Sequence, residues 1–89
     1  MIKLKVISKP IEVIAHCPIK GIPQPIKFKI ENKGEEIVVK IDRIIEICEE
    51  KLAGNKMYVY RCESTINDRH RLLELKYELN TCLWYLFKL

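Results

Sequence analysis

Apolar and polar residues alternate with a period of two in several short segments of this chain, and turn-forming residues separate those segments. Ile2, Leu4 and Val6 alternate with Lys3 and Lys5; Ile26, Phe28 and Ile30 alternate with Lys27 and Lys29. Ile37, Val39 and Ile41 alternate with Glu36, Lys40 and Asp42, with Val38 as an interruption. Farther on, Tyr58, Tyr60 and Cys62 face opposite Met57, Val59 and Arg61, and Leu73, Leu75, Tyr77 and Leu79 alternate with Glu74, Lys76 and Glu78. A strand sends successive side chains to opposite faces, so each segment lays one face on a core and the other in water, as antiparallel strands do. The last segment, Cys82 to Leu89, is apolar on both faces.

Turn chemistry divides the alternating runs. Asn32-Lys33-Gly34 supplies a glycine for the positive φ of a short hairpin, and Gly54-Asn55 offers the same freedom. Asn67-Asp68 and Asn80-Thr81 mark two further reversals. Residues 18–25 carry three prolines, which withhold amide donors and exclude a central strand, so this stretch reads as a connection.

Residues 42–53 admit two readings. Ile41, Ile44, Ile45, Cys48 and Leu52 fall at helical spacing, with Gly54 where a helix C-cap would sit. The register Ile41-Arg43-Ile45-Ile47 instead continues a strand from Val39, and the crowding of β-branched residues favours strand to about residue 47, followed by a loop or helical turn. Five to seven strands in 89 residues imply one all-β or mostly β domain: a small, strongly bent antiparallel sheet closing as an SH3-like barrel, with residues 1–9 as an N-terminal strand or arm.

Composition excludes other classes. At 48% hydrophobic and 31% charged, the chain is too apolar for a disordered segment, and no apolar run approaches the length of a membrane span. The first residues alternate Lys with apolar side chains, unlike the continuous apolar stretch of a signal peptide. Cys17, Cys48, Cys62 and Cys82 are spread through apolar surroundings without close pairing, which suits reduced, buried thiols; the expectation is a cytoplasmic protein without disulfides. The net charge of +4 is unevenly spread: residues 1–30 carry +5, residues 31–55 carry −3 and residues 56–89 carry +2.

The segments Ile11-Glu12-Val13-Ile14-Ala15, Gly21, Pro25 and Phe28, Ala53-Gly54-Asn55, Tyr60-Arg61-Cys62, Glu74 to Leu79 and Trp84-Tyr85-Leu86 together resemble a group of short bacterial proteins of unknown function, especially from Gram-positive anaerobes. The resemblance spans Pro10 to Leu89. It implies a free-standing bacterial cytoplasmic β domain and carries no activity.

Chemistry-bearing patterns are sparse. Structural zinc takes ligands in close pairs, whereas the cysteines here are separated by 31, 14 and 20 residues, so Cys17, Cys62 and Cys82 are read as small core hydrophobes and no metal or cofactor is expected. Adjacent His16 and Cys17 would point to opposite faces of a strand, and His70 stands between Arg69 and Arg71, so neither histidine is set up as a catalytic base. Glu46, Glu49 and Glu50 are read as solvated carboxylates, and the isolated glycines cannot form a phosphate loop. The chain is therefore expected to be non-enzymatic.

Two binding readings remain. If the outer face of the terminal strand is left uncovered, Leu83, Tyr85, Phe87 and Leu89 make a patch for a protein partner or a second copy, and homodimerisation is the leading expectation. The alternative is single-stranded nucleic acid, with Tyr58 as a stacking platform and Lys27, Lys29, Arg61, Arg69, His70 and Arg71 following phosphates.

Overall fold

The computed structural model describes residues 4–89, and the expected alternation of Ile2 with Lys3 lies outside them. Six strands follow one another: β1 (Val6–His16), β2 (Gln24–Asn32), β3 (Glu35–Leu52), β4 (Asn55–Ile66), β5 (Arg69–Glu78) and β6 (Leu83–Lys88). Each pairs antiparallel with the next and β6 pairs with β1, so the sheet closes as a small barrel, in keeping with the SH3-like expectation. Among the described residues there is no helix.

Three of the turns are two-residue hairpin loops, Lys33-Gly34, Ala53-Gly54 and Asn67-Asp68, and all six residues have positive φ, between 51° and 83°. Positive φ at both central positions is the signature of the type I′ turn, whose twist matches that of the strands it joins. The second turn lies one residue earlier than the sequence suggests. Asn55 opens β4 instead, and its side-chain amide donates to Glu78 Oε2 at 2.8 Å.

Inside the barrel, Phe28, Val39, Tyr60, Cys62, Leu73, Leu75 and Leu86 are buried and form one cluster. Tyr60 and Trp84 pack with ring centroids 5.2 Å apart, Trp84 and Tyr77 at 4.7 Å, and Tyr58 meets Tyr60 edge-on at 6.5 Å. These rings fill an interior too small to be closed by aliphatic side chains alone. Ser64 shares that interior at 0% exposure, and its hydroxyl has no hydrogen-bond partner among the described residues.

Two strands change partners part-way along. β1 pairs with β6 from Val6 to Ile11 and with β2 from Glu12 to His16. β3 pairs with β2 through Glu35–Lys40 and with β4 through Ile41–Leu52. Such corner strands join two small sheets packed across one another, and bulges let them bend. In β3 the bulges fall at Asp42 and Ile45, because Ile41 and Arg43 oppose Ser64 and Glu63, and Ile44 and Glu46 oppose Cys62 and Arg61.

The bulges explain why residues 42–53 resemble a helix in print. Ile37, Val39 and Ile41 point inward at spacing two, but each bulge adds a residue, so the next inward side chains are Ile44 and Ile47 at spacing three. Strand persists to Leu52, which replaces both the helical alternative and the loop expected after residue 47. The register Ile41-Arg43-Ile45-Ile47 is corrected as well, since Arg43 and Ile45 are exposed.

A third irregularity shapes the start of β2. Lys27 opposes Ile14 and Pro25 opposes Ala15, so Ile26 is the unmatched residue and stays 44% exposed while Pro25 is buried. The connection is correspondingly shorter than the expected 18–25, with Gln24 and Pro25 inside β2. Tyr60 Oη donates to the Pro23 carbonyl at 2.5 Å, holding the incoming chain over the end of the barrel.

Two stability predictions follow from the turns and this tether. Ala53 at φ 51° holds a conformation that L-residues other than Asn and Asp adopt at a cost. Ala53→Asn should therefore raise the unfolding free energy by about 0.5–1 kcal/mol in urea denaturation, and an unchanged or lower midpoint contradicts the turn assignment. Tyr60→Phe keeps the ring packing and removes the bond to Pro23, so it should cost about 1 kcal/mol; a neutral effect would show that the tether is not formed in solution.

Candidate functional site

The change of partners in β3 leaves a groove. β2 and β3 are paired as far as Lys27 and Lys40 and then part, because β2 bends inward toward Tyr60 while β3 follows β4. Between Gln24–Ile26 on one wall and Ile41–Ile47 on the other lies an open trough of about 680 Å³. Along it, the edge of β3 that faces away from β4 has no neighbouring strand among the described residues. Its outward-pointing amides and carbonyls are available to a further strand. Ile26 and Ile45, 44% and 41% exposed, stand on the two walls.

Charged side chains of β3 are drawn to the other side. Glu46 pairs with Arg61 at 3.6 Å, Glu49 with Lys56 at 3.2 Å and Glu50 with Lys76 at 3.1 Å, all on β4 or β5. Arg43 reaches Glu63 at 3.4 Å, and Asp42 Oδ2 accepts from the Thr65 hydroxyl at 2.9 Å. Exposed pairs of this kind each contribute under about 1 kcal/mol, so their main effect here is orientation. They tie the charged groups to β4 and β5, while Asp42, Arg43 and Glu46 still line the trough together with Ile45 and the backbone edge.

At the upper end of the trough the electrostatics reverse. Lys27 and Lys40 are direct cross-strand partners, and neither has a carboxylate partner among the described residues. Like charges directly opposite one another destabilise a sheet. Exposed Ile14 and Val38 adjoin the pair, at 57% and 59% exposure.

The residues proposed from sequence for nucleic acid are dispersed. Lys27 and Lys29 lie on β2 and Arg69, His70 and Arg71 on β5, three strands apart in a six-strand barrel and so on opposite sides. Lys29 lies between Glu12 and Glu36 at 3.8 and 3.4 Å, Arg61 faces Glu46, and His70 lies 3.4 Å from Glu63. Tyr58 is half-buried and packs against the core.

The residues proposed for an interface are brought together only in part. Leu83 is 46% exposed, but Tyr85 and Phe87 are half-buried, and Leu89 packs against the core. The Lys76 ammonium sits 3.7 Å from the Phe87 ring centroid and covers it from outside. The trough was not legible in sequence, because its signal is the exposure of Ile26 and Ile45, and both had been assigned by alternation to inward positions.

Four cysteines are free, and the expectation of buried thiols holds for Cys62 alone, since Cys17, Cys48 and Cys82 are exposed; among the described residues no three potential ligands gather into a metal-sized cluster. Cys62 is buried, and desolvation pushes its thiol up to about 12. Cys48 is exposed but donates to Glu46 Oε1 at 3.0 Å, and that carboxylate raises its pKa by favouring the protonated thiol. Comparison with protein-family models, with curated proteins and with solved structures returns no match.

Thiol alkylation tests this arrangement. Because the thiolate is the reactive form, the folded protein at about pH 8 should label at Cys17, Cys48 and Cys82 and spare Cys62 until it is unfolded. Cys48→Ala should leave the remaining labelling pattern unchanged, whereas Glu46→Gln should speed modification of Cys48. Labelling of Cys62 at the rate of the exposed thiols would contradict its burial.

Proposed function

We propose that this chain is a non-enzymatic protein-interaction module that docks an extended segment of a partner along the free edge of β3. The observation that carries the reading is the unpaired edge from Ile41 onward, open to a trough with aliphatic side chains on both walls. Strand addition to an exposed edge gains affinity from main-chain hydrogen bonds and selectivity from the alternate side chains of the guest. Free thiols on the surface fit a reducing, cytoplasmic setting, in line with the resemblance to short bacterial domains.

Self-association through β6 is a second reading, favoured by the exposure of Leu83 together with Val6 and Ile7 on neighbouring β1. Less supports the nucleic-acid alternative, since Lys29 and Arg61 face carboxylates, His70 lies beside Glu63 and the Tyr58 ring is half-buried. Phosphate tracking demands unpaired cations on one surface and binding that strengthens as salt falls.

A photo-reactive amino acid placed at Ile45, and separately at Leu83, discriminates the first two readings in the cells that express the protein. Docking at β3 predicts a discrete adduct from position 45 and none from position 83. Adducts only from position 83 with the mass of two copies would establish the β6 dimer instead. Binding of a labelled single strand at low salt, lost at high salt, would favour nucleic acid and contradict the proposal.

A further inference from the structure

The partner's chemistry can be taken one step further, on the premise that the β3 edge is the docking site. The trough is not uniform along its length. Its upper end adjoins Lys27 and Lys40, the last pair of the β2–β3 ladder, and neither ammonium has a carboxylate partner among the described residues. Nearby lysines are treated differently: Lys29, one position along the same face of β2, is flanked by Glu12 and Glu36. Below these lysines the trough is lined by exposed Ile45 and Ile26 and by the β3 backbone edge, together with Asp42, Arg43 and Glu46, which are engaged by Thr65, Glu63 and Arg61.

A strand laid against β3 in the antiparallel sense, as every strand pair in this barrel is arranged, runs opposite to the Ile41→Leu52 direction. Its C-terminal end then lies at the Lys27–Lys40 pair. We infer that the occupant is an extended peptide segment of a partner protein with alternating β-branched aliphatic residues and a carboxylate-rich C-terminal end. The aliphatic side chains meet Ile26 and Ile45. The carboxylates relieve the repulsion between the two ammonium groups, which no residue of the barrel relieves. Charge complementarity of this sort sets the orientation of a guest and discriminates against cationic competitors more than it adds affinity.

The experiment titrates isotope-labelled full-length protein with two synthetic octapeptides and follows backbone amide shifts. One is Thr-Val-Thr-Val-Thr-Val-Asp-Asp with a free C-terminal carboxylate; the other ends in Lys-Lys with an amidated terminus. The expected result is shift changes along residues 41–47 and at Lys27 and Lys40, with the acidic peptide binding roughly tenfold more tightly at low salt. That preference should shrink as salt is raised from about 50 to about 500 mM. The double variant Lys27→Glu, Lys40→Glu lies on the outer surface, and its preservation of fold is checked by its amide spectrum. It should invert the preference toward the Lys-ended peptide. Equal binding of both peptides along β3 overturns the acidic-end inference while leaving the docking edge standing. Shifts confined to β5 and β6, or no shift with either peptide up to millimolar concentration, overturn both.

Discussion

The structure depends on a change of partner in the middle of one strand. β3 belongs to one sheet through Lys40 and to the other from Ile41, and the bulges at Asp42 and Ile45 absorb the bend. Without them a chain this short could not close six strands around a core, because a straight strand would splay away from the sheet it leaves. Closure in turn buries the Tyr60, Tyr77 and Trp84 rings with Leu73, Leu75 and Leu86. The same bend creates the free edge, since β2 cannot follow β3 once Pro23 is held by Tyr60. The groove is thus a by-product of how the barrel closes.

An edge strand is ordinarily a liability, and this one carries the usual safeguards. Bulges at Asp42 and Ile45 interrupt its regularity, which makes pairing with a second copy of the same edge less regular. These features restrict which strand is accepted without closing the edge to every strand. Lys27 and Lys40 give the opening a polarity, because two lysines without carboxylate partners among the described residues face each other at one end of it.

Much of the barrel was legible in the sequence because its evidence is periodic. Leu73, Leu75 and Tyr77 on β5, and Tyr58, Tyr60 and Cys62 on β4, sit in strands with no bulge between β4 and β5, so alternation reads directly as inside and outside. Legibility ends wherever an extra residue enters the ladder. Ile41, Ile44 and Ile47 mimic a helix because two bulges convert a spacing of two into three, and Ile26 is turned outward by one unmatched position in β2. β1 runs on past the residues 1–9 expected as an N-terminal strand or arm, to His16, and Pro10 is tolerated within it close to the point where the strand exchanges β6 for β2. The candidate site escaped sequence reasoning for the same reason: it is made by the bulged positions, where periodicity carries no information about facing.

The central claim is that, among the described residues, β3 has β4 on one side and no strand on the other from Ile41 onward. Amide hydrogen exchange resolved by residue tests it most directly, since amides bonded within a ladder are protected and those facing an open edge are not. Through Ile47–Leu52, where no bulge disturbs the pairing, slow and fast amides should alternate, the slow ones pointing to β4 and the fast ones to the open edge. Uniform protection of that stretch would mean a strand already occupies the edge and would contradict the account.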